Sequence, residues 1–279
     1  MGSIRSIKLI LPVSKLPELF VDVFLDEIMP LILQPLPNLP LINQGDNLVE
    51  IIIKSLSDAS ILIEENDILV FAQKVVSKAE GRMVCLESVE PTERAVDLAQ
   101  KINKDPRLVE LILRESKTVL RANHDVLIVE HRNGFVCANA GIDHSNVSEK
   151  DDCVLLLPKN PDDSAQKLQD GFFKHFSKRI GILIIDSHGR AWRMGTIGMT
   201  IGISSVPGIV DKRGSLDLFG YRMQHTQIAA ADELAAAASL MMGQVDEGTP
   251  VIHVRGFPYP VRRSSFKELI RPIELDLFR

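Results

Sequence analysis

IIDSHGRAWRMGTIGMTI, residues Ile184 to Ile201, is the stretch on which the reading of this chain turns. Ile180 to Ile185 is apolar apart from Gly181 and runs straight into Asp186, which predicts a buried strand ending at an acid. Gly189, Arg190, Arg193, Gly195, Gly198 and Gly202 follow, so the strand is expected to open into a glycine-rich, arginine-bearing loop. Carboxylate oxygens suit a hard cation, glycines let backbone N–H groups approach an anion, and arginine offers a fixed fork to phosphate oxygens. The pattern therefore reads as a place to hold a metal and a phosphate, or equally as a strand followed by an ordinary surface turn.

Working outward, three further segments carry polar residues beside expected strand ends or helix starts. Lys74 and Lys78 stand in FAQKVVSKAEGR, Asp143 and Asn146 in NAGIDHSNV, and Gln227, Asp232 and Glu233 in TQIAAADE. Asp46 can cap a helix through Val49, Ile52, Ile53 and Leu56, Ile68 to Phe71 reads as a buried strand, and Pro91 to Ile102 and Pro106 to Glu115 read as two helices. Asn133-Gly134 between Val126–Val129 and Phe135–Ala138 is a hairpin signal. Cys153 to Leu157 and Gly181 to Ile185 read as buried strands, with a helix from about Ser164 to Phe176 between them and Pro158 to Asp163 as a linker. Ala229 to Met242 reads as a closely packed alanine-rich helix ended by Gly243, with Met241 and Met242 in the core, and Val251 to Val254 as a late strand. Hairpins mixed with helices give an α+β fold, with mixed sheets and packed helices in two intertwined subdomains, rather than a doubly wound sheet.

Composition excludes several classes. With 279 residues, 45% of them hydrophobic, the chain can bury a large core, and a net charge of -5 gives no general basic field for nucleic acid. Cys85, Cys137 and Cys153 lack CxxC spacing and are odd in number, so they are expected as reduced, buried thiols rather than a disulfide framework or a zinc site. Pro12, Lys15, Pro17, Glu18, Asp22, Asp26 and Glu27 interrupt the apolar N-terminus, so no membrane span or signal segment is expected, and the protein is placed in the cytoplasm. The histidines have no HxxxH spacing. Neither GxxxxGK[ST] nor a GxGxxG that opens a helix is present, so the residues themselves lead to a metal and a phosphate and stop short of naming a nucleotide.

The ordered set LPLINQGD, AQKVVSKAEGR, NAGIDHSNV, DSHGRAWRMGTIG and ADELAAAASLMMGQ resembles the coenzyme F420-0:L-glutamate ligase family, also called F420 gamma-glutamyl ligase. The resemblance spans about Leu31 to Phe257. It leaves residues 1–28 as an extension and 258–279 as a C-terminal segment around a ligase domain at 29–257. It implies a homodimeric enzyme that uses GTP, two divalent cations (Mn2+ or Mg2+) and monovalent K+ to join L-glutamate to coenzyme F420-0, through an acyl phosphate, releasing GDP and phosphate. Asp143 and Asp186 match the family's metal-binding aspartates, with Ser187 and Gln227 at the remaining metal positions; Gln227 departs from the glutamate expected there. Leu39, Pro40, Leu41, Ile42, Gln73, Lys74, Lys78 and Asn146 carry over as nucleotide contacts, and Arg190 and Arg193 as catalytic residues holding phosphate or the glutamate carboxylate. Trp192 is expected to be buried against the glycine loop, with stacking on the deazaflavin ring as the alternative. Two other readings stay open: a ligase of the same fold with a different carboxylate acceptor or amino acid, and a nucleotide-binding protein that has lost catalysis.

Overall fold

The computed structural model describes residues 30–147 and 152–277, so the expected extension at 1–28 lies outside the described residues. In chain order, β1 (Ile32–Pro35), α1 (Leu48–Asp58), β2 (Ile68–Ala72), α2 (Gln73–Ala79) and β3 (Met83–Cys85) come first. Next are α3 (Glu93–Ile102), α4 (Pro106–Arg114), β4 (Ser116–Asn123), β5 (Val126–His131), β6 (Val136–Ala138) and β7 (Cys153–Leu155). The chain closes with α5 (Pro161–Phe176), β8 (Gly181–Arg190), β9 (Arg193–Ser204), β10 (Val210–Asp211), β11 (Gln227–Ile228), α6 (Ala230–Met242) and β12 (Val251–Arg255). The α+β expectation holds: five strands form a mixed sheet in the order β1-β12-β2-β8-β9, and smaller antiparallel sheets surround it.

The sheet is mixed because β2 and β8 run parallel while every other neighbouring pair in it is antiparallel. ILVFA and GILII are continuous apolar runs because both of their faces are covered, so no polar alternation is tolerated. Leu69, Phe71, Ile182 and Ile184 point to α1 and α5, whereas Ile68, Val70, Leu183 and Ile185 point to α6 and the C-terminal Phe266. Each of these side chains is almost wholly buried, and burying one contributes roughly 1.5–3 kcal/mol relative to leaving it in water. After α2 the chain leaves this sheet, builds a second lobe from α3, α4 and the β4-β5-β6 sheet, and returns at β7. Phe135, in the Asn133-Gly134 hairpin, packs against the cores on both sides of the sheet and against the second lobe, joining the three.

Several local expectations are corrected by capping and pairing chemistry. Asn47, not Asp46, caps α1 by accepting from Glu50 N, because Asp46 Oδ2 is occupied by Asn43 N at 2.7 Å. The expected linker at Pro158 to Asp163 already starts α5: Asn160 is its cap and Pro161 its first residue, a position where a missing N–H costs nothing. Met242 is buried, but Met241 is 44% exposed on the outer side of α6. Cys85 and Cys153 face each other across β3 and β7 and are disulfide-bonded, so the reduced-thiol expectation fails for this pair. Cys137 alone is a free buried thiol, pushed up to about 12 by burial and then by the Asp186 charge, and is therefore a poor nucleophile.

The largest correction concerns the stretch around Asp186. The strand does not end there but continues to Arg190, turns at Ala191-Trp192 and pairs back along β9, with Asp186 opposite Met199, Ser187 opposite Gly198 and Arg190 opposite Arg193. Two of the glycines, Gly198 and Gly202, lie within β9 and serve packing rather than an anion loop. A Cβ on Gly198 would lie 2.5 Å from Ala235 O and from Ser239 Cβ of α6, and one on Gly202 would lie 2.6 Å from Pro161 O of α5. Trp192 takes the positive-φ turn position at φ 58° and is 81% exposed rather than buried. Among the described residues, no helix is long and apolar enough to cross a membrane.

Candidate active site

The parallel pairing of β2 with β8 stops where β2 ends, Ala72 opposite Ile185, and the polar residues follow immediately: Gln73 and Lys74 after β2, and Asp186 on β8 as it continues along β9. The region beyond the carboxyl ends of parallel strands is where a mixed sheet leaves backbone and side chains free to meet a ligand. The third contributor is Asp143, which follows a single 3-10 turn at Asn139–Gly141 whose Ala140 and Asn139 both adopt positive φ. Two backbone hydrogen bonds with Leu155 of β7, at 3.0 and 2.9 Å, fix its position.

These groups form one electrostatic cluster. Gln73 Nε2 donates to Asp143 Oδ2 at 2.5 Å, and Gln73 Oε1 in turn accepts from Ser77 Oγ at 2.8 Å, so the amide is locked. Lys74 Nζ lies 3.5 Å from Asp143 Oδ1 and donates to the Ser145 carbonyl and hydroxyl. The Asp143 carboxyl is nevertheless pushed up to about 6, first by burial and then by the neighbouring Asp186 charge, which outweigh Lys74 and Gln73. Lys78 is held below its ordinary value by burial and by the Lys74 charge. Asp143 and Lys78 are thus each shifted by burial together with a neighbouring charge of like sign, a condition concentrated at functional sites. Among the described residues, no group of three or more His, Cys, Asp or Glu side chains converges in a way that could hold a metal.

Asp186 has a second set of neighbours. His188, on the same face of β8, brings Nε2 within 3.0 Å of Asp186 Oδ2. Its buried ring packs at 5.5 Å from Phe135, which stacks on His131 at 4.8 Å. His131 is pushed down to about 4, chiefly by burial and then by the charge of His188, and stays neutral at physiological pH. Ser187, on the opposite face of β8, donates from Oγ to Gln244 Oε1 at 2.9 Å, and Gln244 Nε2 donates to Ser239 Oγ at 2.9 Å. Asn146 Nδ2 donates to Val245 O at 2.8 Å. The segment just after α6 therefore closes over both the Ser187 and the Asn146 sides.

The structure therefore brings Gln73, Lys74, Asp143, Asp186 and Ser187 together, with Lys78 and Asn146 at the margin. Leu39 and Ile42 pack on the α1 side of the core while Pro40 and Leu41 are exposed, Leu41 at 87%. Gln227 sits opposite Asp211 in the β10-β11 ribbon and, among the described residues, shares no hydrogen bond with Asp143, Asp186 or Ser187. Arg190 and Arg193 lie at the hairpin tip, Arg190 about 13 Å along the strand from Asp186, with its Nη1 donating to Gly195 O. Gln244 was not singled out from the sequence, although it ends the motif ADELAAAASLMMGQ. The available signal was a polar side chain directly after the helix-ending Gly243.

The F420-0:Gamma-glutamyl ligase family model matches residues 38–256, more than half of the chain and all of the residues gathered above. The chain belongs to the F420-0:gamma-glutamyl ligase family. Relatives agree with this placement over nearly their whole length. It is 44% identical over 243 residues to the coenzyme F420:L-glutamate ligase of Methanothermobacter thermautotrophicus, covering 86% of this chain and 96% of the relative. It is 41% identical to that of Methanocaldococcus jannaschii, covering 86% and 94%, and 41% identical to that of Methanopyrus kandleri, covering 88% and 97%. Membership supports ligase activity in the gamma-glutamylation of coenzyme F420.

Proposed function

We propose that this chain is a cytoplasmic, homodimeric ligase that couples GTP cleavage to formation of an amide bond between L-glutamate and coenzyme F420-0, and can extend the product by further gamma-glutamyl units. Joining a free carboxylate to an amine needs activation; phosphoryl transfer from GTP to the acceptor carboxylate would give an acyl phosphate, and the amine would then displace phosphate, leaving GDP and phosphate as products. The observation that carries this reading is the Asp143 carboxyl, raised to about 6 by burial and by Asp186. Two partly buried acids that repel each other would be relieved of that repulsion by a divalent cation.

The donors fit such an ion. Asp143 and Asp186 offer carboxylate oxygens, and the Ser187 hydroxyl and the Gln244 amide oxygen offer neutral ones, a hard-oxygen set suited to Mn2+ or Mg2+ rather than to softer metals. We assign Asp143 and Asp186 to one cation and Ser187 and Gln244 to a second, Gln244 taking the place first expected of Gln227; K+ is the monovalent cofactor of this reading. Bound there, the cations would supply charge neutralisation during transfer. Lys74 and Lys78 provide the phosphate-facing charge, Gln73 orients Asp143, and Leu39, Pro40, Leu41, Ile42 and Asn146 are assigned to the nucleotide. Arg190 and Arg193 would reach a phosphate or carboxylate only at the hairpin tip.

Asp186→Asn tests the assignment. It preserves shape and removes ligand charge, so turnover of GTP is expected to fall by orders of magnitude while the melting temperature stays within a few degrees. Full turnover in this variant, or its unfolding, would make Asp186 a structural group.

A further inference from the structure

A cleft of about 220 Å³ lies against the β8–β9 hairpin, walled by the Gly134–Val136 turn and by the C-terminal segment. Its polar lining is His188, Thr200, Asp232, Arg271 and Asp276, backed by the rings of Phe135 and Phe266. Two features tie it to the cluster at Asp186. His188 Nε2 is 3.0 Å from Asp186 Oδ2, and Met199, which pairs directly with Asp186 across the hairpin, also lines the cleft.

The charges in the cleft are mixed, unlike the lysine-bearing side of the site. Asp232 is half-buried, its Oδ1 accepts from Thr200 N at 3.0 Å, and no lysine or arginine among the described residues forms an ion pair with it. Burial raises its carboxyl above the ordinary range, so a cation in the cleft would be favoured next to it. Arg271 supplies a guanidinium, whose fork matches a carboxylate. A polyphosphate is disfavoured by Asp232 and Asp276 in the same lining, and Lys74 and Lys78 already provide for one elsewhere.

We propose that this cleft is the L-glutamate subsite, the α-ammonium held at Asp232 and a carboxylate at Arg271, with His188 set between the bound amino acid and Asp186. The assignment rests on the ligase reading and adds to it the place from which the amine approaches.

The test uses full-length Asp232→Asn and Arg271→Ala. The first keeps an acceptor oxygen for Thr200 N, and the second changes an exposed residue, so both variants should fold, as a melting curve would show. Equilibrium dialysis with radiolabelled L-glutamate, with and without GTP, is expected to show binding weakened about tenfold or more in each variant, the loss of one charge-assisted hydrogen bond. The KM for L-glutamate should rise in step while the KM for GTP stays within about twofold. Unchanged glutamate binding in both variants, absence of binding to the wild type, or a parallel rise in the KM for GTP would overturn the subsite. Glutamate binding that is lost in the variants, without any glutamylated product from the wild type, would instead support the subsite as an amino-acid site and overturn the ligase reading.

Discussion

Ser187 Oγ donates to Gln244 Oε1 at 2.9 Å, linking the strand that carries Asp186 to the segment that follows the alanine-rich helix. On the proposed reading this hydroxyl and amide oxygen would hold a second cation weakly, both being neutral, because cation affinity rises with ligand charge. Gln244→Glu is therefore expected to move the manganese titration of GTP turnover about tenfold lower, whereas Gln227→Glu should leave its midpoint within about twofold. A shift produced by the Gln227 change alone would return the ligand role to that residue.

Gly198 sits where β9 meets α6, and a Cβ there would lie 2.5 Å from the Ala235 carbonyl oxygen, a backbone atom that cannot swing aside. Gly198→Ala should cost roughly 1–3 kcal/mol by overpacking. Gly189, on the neighbouring strand of the same hairpin, has nothing within 4 Å of its Cβ position, and Gly189→Ala should stay within about 0.5 kcal/mol. Urea unfolding of the two variants compares them directly, and equal costs would contradict the packing role.

Asp67 ties the start of β2 to β12. Burial alone would raise its carboxyl, but hydrogen bonds from Arg255, His253 and the Glu64 N–H prevail and hold it at about 2, against an ordinary 3.8. Because the folded value is depressed, the stability it contributes is present above the unfolded value and lost as pH falls through the folded one. That contribution is about 2 kcal/mol, disappearing between about pH 4 and about pH 2. The unfolding free energies of wild type and Asp67→Asn should converge by this amount over that window, and a constant difference would contradict the ion-pair account.

The buried half of the fold was legible because apolar runs such as ILVFA and GILII admit few alternatives, and because Asn133-Gly134 and Gly243 have specific backbone uses. The extension of β8 past Asp186 was not, since Ser187, Gly189 and Arg190 have poor strand propensity and are held in pairing by β9 and by the close approach of α6 to Gly198. Asp143, Asp186, Lys74 and Gln73 were read from their motifs, and the structure draws them together from segments far apart in the chain. Asp232 was named beside its helix start, but its contact with Thr200, like that of Gln244 with Ser187, is tertiary and no local pattern announces it. The Cys85–Cys153 pairing depends in the same way on the register of β3 with β7.

GTP cleavage at the Asp143–Asp186 cluster is proposed to drive glutamylation of the deazaflavin precursor. Purified protein incubated with GTP, Mn2+, L-glutamate and coenzyme F420-0 and followed by mass spectrometry tests it most directly. GDP is expected together with a product heavier than F420-0 by one or more glutamyl units, both abolished in Asp186→Asn. GTP consumption with no change in the mass of F420-0, or product formation that persists in Asp186→Asn, would contradict it.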